Sequence, residues 1–246
     1  MIDSFFRELA DRSIQQQAGV MAGVRTGNKL EYVKWFSDTG TRLTTADGKP
    51  IEVWEFNHQK NNILLSEWAK HFRNQYIDDA EIYAMVSGTG KTNSQYLTDL
   101  IFLDSKRGFG PITRAGDWAE LLVADYLEYL LNYLVPRTRY QDKIRKNESP
   151  KGSDVIGFKV SEKSSASDEM IIFEVKAKLT NTDCDNKLQE AVDDSNRDEV
   201  RQAESLNAIK RKLNKIHDLQ EVEKVSRFQN KVDETPIKKN LERLQS

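Results

Sequence analysis

Two stretches decide how this chain folds: GSDVIGFKV at residues 152–160 and EMIIFEVKAKL at residues 169–179, separated by the polar run SEKSSASD. Each is a short run rich in β-branched and aromatic residues and bounded by glycine, serine or charge, so each reads as a strand, and the polar run reads as the turn of a hairpin. Residues two apart in a strand share a face, so Glu174 and Lys176 project together while Val175 points into the core. Pairing across the turn brings Asp154 to the same end. Two carboxylates converging on one point suit a hard divalent cation, and Mg2+ (or Mn2+) takes few protein carboxylates while keeping waters and substrate phosphate oxygens. The expected roles follow. Asp154 and Glu174 hold the cation, the carbonyl of Val175 supplies a further oxygen, and Lys176 steadies a hydroxide or the developing negative charge of phosphodiester hydrolysis.

Taken alone, Glu-x-Lys is a weak signal. A chain with 37 Lys and Arg and 39 Asp and Glu contains such tripeptides by chance, usually at a solvated strand edge. The order of elements gives it weight. Upstream, TRAGDWAELLVADYLEYLLNYLV has helical periodicity from Thr113 to Pro136, which forbids continuation. Next comes a basic stretch carrying Arg137, Arg139, Lys143, Arg145, Lys146 and Lys151, with Tyr140 interleaved. Contacts from such side chains to phosphates supply the non-specific part of DNA affinity, the alternative being a solvated loop. Downstream, Val200, Ala203, Leu206, Ile209, Leu213 and Ile216 recur at helical spacing, and a last short helix is expected after Pro236.

The N-terminal region, up to Gly110, mixes signals. A short helix is expected at FFRELADRSIQQQ, a strand or strand pair at KLEYVKWFSD, a hairpin turning at Asp47-Gly48, a helix at ILLSEWAKHFRNQYI, and short strands at AEIYAMV and YLTDLIFLD. Between those last two lies SGTGKTNS, residues 87–94, which contains the Gly-Lys-Thr of a phosphate-binding loop. Met85 stands where that motif needs its first glycine. Asp104, at the end of LIFLD, follows Lys91 too closely for a crossover helix and a parallel strand to fit between them. The stretch therefore reads as the loop of an antiparallel hairpin, and a nucleotide hydrolase is the least favoured of three functional readings.

The sequence of acidic helix, basic stretch, Gly-Ser-Asp strand and apolar strand ending in Glu-x-Lys resembles the PD-(D/E)XK nuclease superfamily. The resemblance implies a restriction-endonuclease-like α/β core, a mixed central sheet flanked by helices, with catalytic Asp154, Glu174 and Lys176 and a glutamate from the preceding helix. At 100° per residue, Trp118, Leu122, Val123, Tyr126, Leu127, Leu130, Tyr133 and Leu134 cover one helix face, and Asp117, Asp125, Glu128 and Asn132 the opposite one. Glu120 lies at the border and is the better choice for the helix glutamate. Ser153 replaces the superfamily's proline, and neither Gln189 nor Gln202 has a convincing local pattern for the glutamine that some members carry. More narrowly, GDWAELLVADYLEYLLNYLVPRTR, GSDVIGFKV, IIFEVKAKL and the downstream ESLNAIKRKL resemble the nuclease subunit (HamA-like) of Hachiman-type antiphage defence systems, a likeness confined to the C-terminal part of the chain. That likeness implies a superfamily 2 helicase as partner and ATP consumption in the partner chain.

The expected organisation is an N-terminal α+β region over 1–110 and a nuclease-like core with C-terminal helices over 111–246. The expected function is metal-dependent nuclease, DNA favoured as substrate. A catalytically inactive module that binds DNA or regulates a helicase is the alternative. A net charge of −2 gives no global attraction to nucleic acid, so binding must be local. The single cysteine, Cys184, forms no intramolecular disulfide or zinc knuckle. No secretion signal and no apolar run of membrane-spanning length is present, so a cytoplasmic location with no membrane association is expected.

Overall fold

The computed structural model describes residues 30–46, 48–141, 143, 145–162, 167–179, 187–195, 198–229 and 238–241. The helix expected at FFRELADRSIQQQ, Cys184 and Asp47 lie outside the described residues. The chain divides into two compact units, Met1–Gly110 with Ile144–Asn147, and Pro111–Lys143 with Glu148–Ser246.

In the first unit a 3₁₀ turn, Glu31–Trp35, precedes strand β1 (Phe36–Thr44), which pairs antiparallel with β2 (Pro50–Phe56). Where KLEYVKWFSD was expected to be extended throughout, the strand begins only at Phe36. Tyr32, Val33 and Trp35 are all buried, a pattern that the alternating faces of a strand cannot produce. The hairpin turns as expected, with Gly48 at φ 83°. Trp35 packs edge-on against Phe56 and Trp68, with centroids 5.7 and 5.6 Å away. Trp68 lies on helix α1 (Asn62–Asn74), whose start is capped by the Asn61 side chain accepting from the N–H groups of Ile63 and Leu64.

The two strands expected around SGTGKTNS are helical instead. AEIYAMV belongs to α2 (Asp79–Val86), capped by Asp78, and YLTDLI forms the end of α3 (Asn93–Tyr96) and a π turn, Leu97–Ile101. Short apolar runs do not distinguish strand from helix by periodicity, and here the caps decide. Thr92 and Gln95 form a reciprocal capping box, and Lys91 pairs with Asp99 at 2.7 Å. The Gly-Lys-Thr loop thus joins two helices, with its lysine neutralised inside the unit.

In the second unit helix α4 spans Gly110–Asp125 and continues as a π turn, Tyr126–Leu130. It ends before Pro136, because Asn132 adopts the left-handed conformation (φ 58°) that asparagine tolerates. Strands β3 (Val155–Lys159) and β4 (Glu169–Phe173) form the expected hairpin, registered from Val155↔Phe173 to Lys159↔Glu169. Beyond α5 (Lys187–Ser195), α6 (Asp198–Lys215) and α7 (Leu219–Ser226), Lys238–Leu241 form β5, parallel to β4. A strand therefore stands where a helix was expected after Pro236, and the three-stranded sheet, ordered β3-β4-β5, is mixed. The fold is α/β.

One sheet face packs Ile156, Phe158, Met170 and Ile172 against Leu206 and Leu213 of α6, Val225 of α7 and Phe228. Across the opposite face, Gly157 faces Tyr133: an added Cβ would lie 3.0 Å from the Tyr133 Cβ and 3.1 Å from the Ile171 Cγ2. Gly157→Ala is expected to cost about 1–3 kcal/mol by overpacking, read as a lower urea midpoint at unchanged slope. An unchanged midpoint would show that this side of the sheet is loosely packed. No described helix is long and apolar enough to cross a membrane.

Candidate active site

The hairpin register is what assembles the candidate site. Val155 stands opposite Phe173, and one further step of that register sets Asp154 across from Glu174. Asp154 is tied to the second strand's extension directly, its Oδ2 accepting from the Val175 N–H at 2.8 Å. The Glu174 Oε1 accepts from the Lys176 Nζ at 2.6 Å, so the expected side-by-side carboxylate and ammonium are observed. The buried Val175 side chain anchors the short segment between them.

Burial raises the Asp154 carboxyl to about 6; Arg139 opposes the shift and the charge of Glu174 adds to it. At Lys176 burial works against the charge, but hydrogen bonds to Asp194 and Glu174 prevail and hold the ammonium above its usual range. Lys176 is thus held as a charged ammonium at neutral pH. Asp194, on α5, meets the Lys176 Nζ at 2.7 Å. Nothing in DDSN marked it, because its role arises only when α5 returns to the hairpin. Gln189 is hydrogen-bonded to Asp193 on the same helix.

Helix α4 and its π turn bury part of the face that periodicity predicts, Tyr126 and Leu127, together with acids from outside it. Asp117, Glu120 and Asp125 are buried, whereas Trp118, Leu122, Val123 and Leu130 are only half-buried. The cations of the following segment account for this. Arg137 pairs with Asp125 and Glu128 at 2.6 and 2.7 Å, Arg139 lies 2.8 Å from Glu120, and Lys143 pairs with Asp117. The segment runs back along the helix and neutralises its acids in reverse order. Arg137, Arg139 and Lys143, expected at phosphates, have side chains only 7, 14 and 7% exposed and direct their charge inside the fold. Lys146 pairs with Asp104 at 3.0 Å within the first unit. Arg145 and Lys151 remain exposed.

Glu120 also accepts a hydrogen bond from the Tyr140 hydroxyl, a partner that sequence reading passed over as an interleaved aromatic. Burial pushes the Glu120 carboxyl from 4.5 up to about 8, against the charge of Arg139. A raised folded-state value means that Glu120 favours folding fully below its unfolded value, and that this contribution is lost as pH rises through about 8. Stability should therefore fall between about pH 5 and pH 8.5 more steeply in the wild type than in Glu120→Gln, measured by urea unfolding. Parallel profiles would contradict the assignment.

A family model described as HamA matches residues 31–242, most of the chain. The chain belongs to the HamA family. No curated protein and no solved structure matches it. The HamA match begins at Glu31, so it takes in the β1–β2 hairpin as well as the second unit, a wider span than the C-terminal part that carried the resemblance.

Among the described residues no cluster of three or more His, Cys, Asp or Glu side chains is arranged to hold a metal. The two carboxylates at the hairpin end still fit magnesium, which keeps most of its shell as water and substrate oxygens.

Proposed function

We propose that this HamA-family protein is a metal-dependent nuclease that hydrolyses nucleic-acid phosphodiester bonds, with DNA as substrate. We further propose that it acts in a Hachiman-type antiphage system beside a superfamily 2 helicase. The observation that carries the reading is the meeting of Asp154, Glu174 and Lys176 at one end of the β3–β4 hairpin. Asp154 and Glu174 would hold Mg2+ or Mn2+, with the Val175 carbonyl adjacent. The bound cation would polarise the phosphodiester and activate water. Lys176, fixed as a cation between Glu174 and Asp194, stabilises negative charge developing on the attacked phosphate. Lys151, exposed near the start of this hairpin in sequence, supplies a non-specific phosphate contact.

The test is incubation of the purified protein with circular and linear DNA, and with RNA, in magnesium or chelator, with and without the helicase. Magnesium-dependent DNA cleavage is expected in at least one arm. DNA binding with no cleavage in any arm would favour a catalytically inactive helicase-regulating module. One feature favours that second reading: Lys176 is held by two carboxylates at once.

A further inference from the structure

Asp154 stands at the end of a loop, residues 150–153, in which Gly152 has φ 107°. The Ser205 hydroxyl of α6 accepts from the Ser153 N–H at 3.1 Å, and the loop's carbonyls are held by one arginine. The Arg139 Nη1 donates to the Ser153 carbonyl at 2.5 Å and the Gly152 carbonyl at 3.2 Å, and its Nη2 donates to the Pro150 carbonyl at 3.1 Å. The same Nη2 donates to the Asp154 Oδ1 at 2.9 Å. On the far side the guanidinium rests on Glu120 of α4, which Tyr140 holds in turn. One planar cation thus joins three loop carbonyls, the carboxylate at the loop's end and a rigid helix.

Only arginine has this fork. Its five N–H donors point in fixed directions in one plane, whereas a lysine ammonium is a point charge with three donors. The neighbouring cations behave differently: Arg137 and Lys143 direct their charge to the helix acids Asp125, Glu128 and Asp117. The Asp154 carboxylate is then gripped from both sides, Oδ1 by Arg139 and Oδ2 by the Val175 N–H. Its direction is set before any ligand arrives.

We propose that Arg139 is a positioning residue for Asp154, aiming that carboxylate at the Glu174–Lys176 end of the hairpin, with Glu120 acting through Arg139 and not on a cation. This inference rests on the reading of Asp154 and Glu174 as cation ligands.

The experiment uses full-length wild type, Arg139→Lys, Arg139→Gln and Asp154→Asn, with folding checked by circular dichroism. Mn2+ binding without nucleic acid is followed by electron paramagnetic resonance, and DNA cleavage in magnesium is then compared. Arg139→Lys should keep the native spectrum and bind Mn2+ about 10–100-fold more weakly, the usual effect of removing a group that orients a ligand. Its kcat should fall while KM for DNA stays within about twofold, since an orienting group acts on chemistry and not on uniform substrate binding. Folded Arg139→Lys or Arg139→Gln with wild-type Mn2+ affinity would overturn the proposal. So would a raised KM at unchanged kcat, the mark of a phosphate contact, or loss of fold in both variants, the mark of general structural support. Wild type that binds Mn2+ no better than Asp154→Asn would instead remove the cation reading, and this inference with it.

Discussion

Replacing Glu174 or Lys176 by alanine is expected to abolish nucleic-acid cleavage, with a loss of at least about 10²-fold in kcat, the usual effect of deleting one group aimed at transition-state charge. Both side chains are partly solvated at the end of the hairpin, outside the apolar packing between sheet and helices, so the fold should survive. The two variants should nonetheless differ. Glu174→Ala removes a proposed cation ligand and leaves Lys176 its pairing with Asp194. Lys176→Ala leaves both carboxylates and should still bind DNA, because the non-specific phosphate contact is assigned to Lys151. Cleavage rates and gel-shift affinities measured on the same preparations separate these effects. Wild-type cleavage by both folded variants would defeat the assignment.

The largest loss of stability is expected from Arg137→Ala. Its guanidinium lies between Asp125, which is fully buried, and Glu128, at 2.6 and 2.7 Å. Burial alone would lower its pKa, yet the neighbouring charges of Asp125 and Glu128 raise it above the usual value, so the cation is locked to its partners. Removing it takes the paired guanidinium from a buried carboxylate, at a cost of about 3–5 kcal/mol, far beyond the roughly 0–1 kcal/mol of an exposed pair. Urea unfolding of Arg137→Ala measures this. A loss below about 1 kcal/mol would mean that water or another cation compensates Asp125.

These two sites differ in how far the sequence made them legible. The hairpin could be read because its strands are apolar, short and bounded by turn residues, and alternation then placed Glu174 beside Lys176. The helix periodicity also located α4 and the burial of Tyr126, Leu127 and Tyr133, but it missed the buried acids. Hydrophobic periodicity treats Asp117 and Asp125 as solvent-facing and leaves Glu120 at the border, whereas the burial of all three goes with cations supplied well downstream in the chain. A pairwise signal was present: acids at 117, 120, 125 and 128 and bases at 137, 139 and 143 run in mirrored order. It becomes a prediction only if the basic stretch is imagined folding back.

Around SGTGKTNS the error came from apolar runs too short to fix a period, where the capping residues Asp78 and Thr92 held the better signal. At Lys238–Leu241 a strand forms by pairing with β4, a contact distant in sequence that no local pattern announces. The candidate site was therefore legible where one hairpin built it, and illegible where separate elements meet. Asp194, Tyr140 and the role of Arg139 all belong to the second class.

The proposed chemistry depends on Asp154 and Glu174 forming a divalent-cation site. Anomalous diffraction from crystals of the full-length protein grown with Mn2+ decides whether they do. A peak within coordination distance of both carboxylates is predicted, and it should vanish in Asp154→Asn. Fully ordered Asp154 and Glu174 with no peak between them, or a peak bound by other residues alone, would contradict the account.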